Sequence, residues 1–160
     1  MNPSYFRIKV DLESAISRLE GWNKKAFFEK KQVEYSNAVK EALDENGQWK
    51  GSCLYAYENE GWSVFEDLSG FYTSIPAESW QSLAGDSDLV VAGYNDAMPY
   101  GEMIVIQGGE VHKEFWDYPE DNDLVNLGNG YPEIESWEDV ADFIEEDDLV
   151  YSDEGVLLIS

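Results

Sequence analysis

The sequence predicts a single α+β domain, an antiparallel or mixed β-sheet with helices near the start and one late acidic helix. Three observations carry that expectation. Apolar residues before position 50 recur at helical spacing, those after it fall in short runs separated by Gly and Asn turns, and the segment from Ser136 returns to helical spacing. The length of 160 residues fits one domain, and 43% hydrophobic and 14% aromatic residues supply a core, so the acidity does not imply disorder.

Taken in order, Tyr5-Phe6-Arg7-Ile8-Lys9-Val10 alternates as a strand does. Asp11 is an expected N-cap for a helix with Leu12, Ala15, Ile16 and Leu19 on one face, closed by Gly21. Residues 28–43 read as a second helix, with Phe28, Tyr35, Val39 and Ala42 at helical spacing. Lys24, Lys25, Lys30, Lys31 and Lys40 decorate it or the turn before it, and Asn46-Gly47 ends it. Leu54–Tyr57 and Trp62–Phe65 flank Asn59-Glu60-Gly61 as a hairpin. Pro76 opens a short helix through Trp80 and Leu83, with Gly85 past its end. Leu89–Ala92 is a buried-strand signal, and Met103–Ile106 and Val111–Phe115 turn around Gly108-Gly109. Residues 117–135 read as a long polar loop. Ser136-Trp137-Glu138-Asp139 resembles a capping box, and Val156–Ile159 is a last strand.

Charge is unevenly placed. The net charge is −24, yet residues 1–50 hold nine Lys and Arg against eight Asp and Glu. Residues 51–160 hold one Lys, Lys113, against 26 Asp and Glu. Such a field repels nucleic acid and anionic membranes and draws in cationic partners. Solubility or a halophilic source is the plainer account, although halophilic acidity would cover the balanced first 50 residues as well. No apolar run approaches the ~20 residues that span a bilayer. The first residues show no apolar h-region or cleavage site, so no signal peptide is expected. Cys53 is the single cysteine, which leaves no internal disulfide and suggests a cytoplasmic setting.

Three segments are candidate partner-binding surfaces. In the late helix, Trp137, Val140, Ala141 and Ile144 share one face, with Glu138, Asp142, Glu145 and Glu146 opposite and Asp139 beside them. Asp147 and Asp148 extend the run. Carboxylates so placed repel, by a few tenths of a kcal/mol per pair. The stripe suits docking of Lys and Arg, and an ordinary solvated face accounts for it equally. The second segment has Asp117, Tyr118, Glu120, Asp121 and Asp123 beside Trp116, the carboxylate-plus-aromatic mixture that receives Arg. A plain polar loop explains it too, and its spacing fails the EF-hand pattern. The third is Gly93–Glu102, whose Tyr94, Asp96, Tyr100 and Glu102 suit either a recognition loop or a simple tight connection.

Catalytic signals are sparse. Cys53 lies in a strand pattern, where a buried inert thiol is expected, and His112 is the only histidine. No nucleophile elbow, P-loop or dinucleotide fingerprint is present. No catalytic residue, cofactor or metal is therefore expected.

A small α+β chain with a Trp-rich sheet and the acidic segment Trp137–Asp148 resembles the acidic immunity proteins of bacterial toxin systems. The segment Ile75–Gly85 is similar to the Pro-led short helix of SMI1/KNR4-like (SUKH) immunity proteins, although here a hairpin precedes it. The resemblance implies a non-enzymatic inhibitor that binds a basic, nuclease-like toxin. Two other functions fit the residues: a carboxylate-pair hydrolase acting on a sugar-like substrate, and an acidic adaptor for basic proteins.

Overall fold

The computed structural model describes residues 3–147 and 152–160. In chain order its elements are β1 (Ser4–Ile8), α1 (Leu12–Asn23), β2 (Glu29–Glu34), α2 (Tyr35–Ala42), β3 (Cys53–Asn59) and β4 (Trp62–Asp67). There follow α3 (Ala77–Ala84), β5 (Leu89–Asn95), β6 (Tyr100–Gln107), β7 (Glu110–Tyr118) and a 3-10 turn (Pro119–Asp121). The last elements are β8 (Asp123–Gly128), α4 (Trp137–Asp147) and β9 (Glu154–Ile159). The nine strands of the described residues form one antiparallel sheet in the order β2-β9-β3-β4-β1-β5-β6-β7-β8. This is an α+β fold built on one sheet.

Helices cover both faces of the sheet. Phe6, Phe65, Ile104 and Leu158 point to one face, where Ala15 and Leu19 of α1 and Trp80 and Leu83 of α3 close the core. Their neighbours Tyr5, Val64 and Met103 point to the other, with Phe115, beneath Ala38 of α2 and Val140 and Ile144 of α4. Burial on both faces explains why Leu89–Ala92 and Met103–Ile106 are continuously apolar rather than alternating.

Local signals place most elements. Asp11 caps α1 by accepting from the Ser14 backbone N–H at 3.0 Å and its hydroxyl at 2.7 Å. Gly85 follows α3 with φ +60°, a conformation that favours glycine. One helix boundary differs from expectation. α1 runs past Gly21 to Asn23, and Lys24 takes the left-handed cap position.

The expected helix over 28–43 is instead a strand followed by a helix. Residues Glu29–Glu34 pair with β9 from Glu29↔Ile159 to Glu34↔Glu154, and that distant pairing overrides the local helix preference of Glu, Lys and Gln. The helix that remains buries Ala38 and Ala42, whereas Phe28 and Val39, expected inside, are exposed. The polar loop expected over 117–135 also contains structure. β7 extends to Tyr118, and β8 follows the 3-10 turn as an edge strand. No helix among the described residues is long and apolar enough to cross a membrane.

Candidate partner-binding surface

The sheet order sets the lysine-bearing strand β2 apart from the acidic β7–β8 end. β2 forms one edge and β8 the other, about 40 Å apart at ~4.8 Å per strand. On β2, Lys30 and Lys31 are exposed and pair with Glu20 at 3.3 Å and Glu41 at 2.9 Å. Toward β8, Lys113 is only 2% exposed. Its ammonium donates to Asn126 Oδ1 at 2.6 Å and to the Ile134 carbonyl at 3.4 Å, above the Phe115 ring. The only Lys or Arg after position 50 therefore neutralises little of the surface field.

Two candidate segments meet where β5 ends, β6 begins and β7 ends. The pairing Gly101↔Asp117 sets Tyr100 beside Tyr118, and their rings stack at 5.4 Å between centroids and 9° between planes. The Tyr118 hydroxyl lies 2.8 Å from Ser74 Oγ. Burial, with Glu102 and Tyr118 adding to it, holds the Tyr100 phenol well above its ordinary pKa, so it stays neutral. The Asn95 side chain shapes the β5–β6 turn by accepting from the N–H groups of Ala97 and Met98 at 2.9 and 3.2 Å. The two tyrosines, with Met98, Pro99, Glu120 and Asp121, line a cavity of about 160 Å³. Metabolite sites run to ~300–1000 Å³, so this one suits a single side chain. Aromatic walls and two carboxylates select a cationic one. Asp96 is exposed on the turn, and Asp123 is exposed where β8 begins.

On α4 the outward stripe is as expected: Glu138, Asp142, Glu145 and Glu146 are exposed, and Val140, Ala141 and Ile144 are buried. Asp142 and Glu146 join Glu133, Ile134, Asp139 and Phe143 around a shallow hollow of about 220 Å³. Tyr94 lies beside this helix, its ring stacked on Trp137 at 6.5 Å and its hydroxyl donating to Glu145 at 3.5 Å. Asp148, read as the end of the acidic run, lies outside the described residues.

Three expected surface residues have structural work instead. Asp139 Oδ2 accepts from the backbone N–H groups of Glu135 and Ser136 at 2.9 and 3.0 Å, which caps α4. Asp117 Oδ2 accepts from the Trp137 N–H at 2.9 Å and ties β7 to the same helix end. Glu102 is 2% exposed, and its Oε2 accepts from the Ser74 N–H at 2.9 Å. Burial pushes its carboxyl up to about 7, with Asp67 adding to the rise and the Ser74 bond opposing it. Asp67 holds the same chain segment through the N–H groups of Gly70 and Tyr72. Glu102 thus anchors a strap across the sheet and is unavailable to a partner.

Other chemistry finds little support in the geometry. A cavity of about 490 Å³ includes Trp22, Lys25, Phe71 and Tyr72 in its wall, with no Asp or Glu side chain. Glu66, also pushed up to about 7 by burial, accepts from the Tyr35 hydroxyl at 3.1 Å. The register Glu66↔Tyr5↔Ala92↔Met103 places it on the face opposite Glu102, so the two cannot act on one bond. Cys53 is buried, and burial raises its thiol pKa. Among the described residues, no three His, Cys, Asp or Glu side chains converge as metal ligands would.

Comparison with protein-family models, curated proteins and solved structures finds no match to the chain.

Proposed function

We propose that the chain is a non-enzymatic binding protein that neutralises a basic protein partner. The partner that fits the resemblance best is a cognate nuclease-like toxin met in the cytoplasm. The observation that carries this reading is the Tyr100–Tyr118 stack with Glu120 and Asp121 at its rim. It offers one Lys or Arg side chain an aromatic floor and an anionic lip, in a region whose sole lysine is buried. Exposed carboxylates of α4 and β8 would speed the encounter, and the aromatic cavity would set residence time. A sugar hydrolase needs two accessible carboxylates ~5–10 Å apart in a cleft. The cavity of about 490 Å³ has no Asp or Glu side chain in its wall, and the raised carboxyls Glu66 and Glu102 lie on opposite faces of the sheet, so the hydrolase reading has less support.

The test is co-expression with the product of the adjacent upstream gene, followed by co-purification at about 0.05 M and about 1 M salt. The expected result is rescue of growth and a complex with a basic protein that weakens as salt rises. An acidic partner, or a harmless one, overturns the reading.

A further inference from the structure

Natural sheet edges are usually blunted by short length, inward or exposed charge, proline or a covering segment. The two edges of this sheet differ in that respect. β2, the segment Glu-Lys-Lys-Gln-Val-Glu, carries exposed lysines held in ion pairs. β8, the segment Asp-Leu-Val-Asn-Leu-Gly, has a single charge at its start and no proline or lysine. Five of its six residues are exposed, and Leu124 and Leu127 are each 58% exposed. Among the described residues, β8 pairs with β7 alone, and no other backbone hydrogen bond involves residues 123–128. Every second N–H and C=O on it therefore faces outward.

We propose that β8 is an open docking edge that takes an extended, cationic strand from a protein partner and lengthens the sheet by one. Leu124 and Leu127 are three residues apart and so project to opposite faces. A docked strand would meet an apolar ledge above and below. Asp123 sits on β8 itself, Glu114 stands across from Leu127 on β7, and Glu120 and Asp121 follow at the β7 end. Long Lys or Arg side chains on the incoming strand reach this row. An acidic strand would meet repulsion with no lysine to relieve it. A second copy of β8 would bring its own carboxylates against these.

This inference rests on the basic-partner reading and names its mode. The probe is a ten-residue peptide of alternating Lys and Val, compared with the same peptide N-methylated at every second residue. N-methylation keeps charge and side chains and removes outward hydrogen bonds. The expected result at low salt is slowed hydrogen exchange of amides within residues 123–128, with the N-methylated peptide binding about tenfold more weakly. Leu124→Ser with Leu127→Ser, both at exposed positions, should weaken the unmodified peptide several-fold at unchanged melting temperature. Equal, salt-sensitive binding of both peptides without protection of β8 overturns edge docking and leaves the basic-partner reading standing. Failure of both to bind at low salt removes both. Protection of β8 in the free protein that grows with concentration assigns the edge to a second copy and overturns the proposal.

Discussion

Gly101 on β6 lies directly under Trp137, the first residue of α4. A Cβ built on Gly101 would stand 2.7 Å from the Trp137 Cα and 2.9 Å from its Cβ. The missing side chain lets the helix seat against β5 and β6, and so places the acidic stripe next to Tyr94. Gly101→Ala should cost about 1–3 kcal/mol, because backbone rather than a flexible side chain must give way. Urea denaturation checks this, and a variant as stable as the parent would show that α4 tolerates displacement.

Acidic residues around α4 should divide into two groups by stability. Asp139→Ala removes the acceptor for two backbone N–H groups and Asp117→Ala removes the acceptor for the Trp137 N–H, so each should lose about 0.5–2 kcal/mol. Changing Glu138, Glu145 and Glu146 to Gln together with Asp142→Asn should leave the melting temperature unchanged or slightly higher, because repulsion is relieved. Equal destabilisation by both sets would contradict the division.

Three buried carboxyls, Glu66, Asp67 and Glu102, are raised chiefly by burial, and the two glutamates predict a pH window. Glu66 and Glu102 are pushed from an ordinary value of 4.5 up to about 7, chiefly by burial. The folded protein therefore holds more protons than the unfolded chain between those values. Their contribution is fully present below pH about 4.5 and is lost as pH rises through about 7. Asp11 and Glu41, lowered by hydrogen bonds to Ser14 and Lys31, act in the opposite sense and only at more acidic pH. Replacing Glu66 and Glu102 by Gln should flatten the melting temperature between pH about 4.5 and about 7. A double variant with the parent's slope would rule out these two groups as its source.

The aromatic cavity predicts a contrast at one position. Tyr118→Ala removes half of the stack and should weaken an arginine-rich peptide about tenfold, whereas Tyr118→Phe keeps the ring and should bind within a few-fold of the parent. Isothermal titration calorimetry of the two variants separates a stacked cation from mere charge attraction, which neither substitution alters.

Features written in nearest neighbours were legible in the sequence. The Asp11 cap, the hairpin turn at Gly108-Gly109, the Pro76 helix and the two faces of α4 follow from side chains within a few residues of one another. The tyrosines and carboxylates of the cavity rim could be named from the sequence, although nothing in their spacing showed that Tyr100 and Tyr118 would stack. Met98 stood in the quoted Gly93–Glu102 segment, but only the folded turn turned it toward Glu120 and Asp121. Ser74, which meets both Tyr118 and Glu102, carried no signal, because its partners come from β6 and β7.

The sequence by itself determined the α+β class, the core-forming runs and the charge divide at position 50. Each depends on composition or on a period that the backbone imposes locally. Tertiary structure decided what long-range pairing controls. Glu29–Glu34 is a strand because β9 lies beside it, and Glu102 is a buried anchor because a strap from β4 crosses it. Asp117 ties down the start of α4 because the helix docks beside the end of β7, whereas the Asp139 cap is local to its own helix. The same pairing left β8 at the sheet edge, its outer backbone groups unmatched among the described residues, since a strand's position in a sheet is set by its partners and not by its own residues.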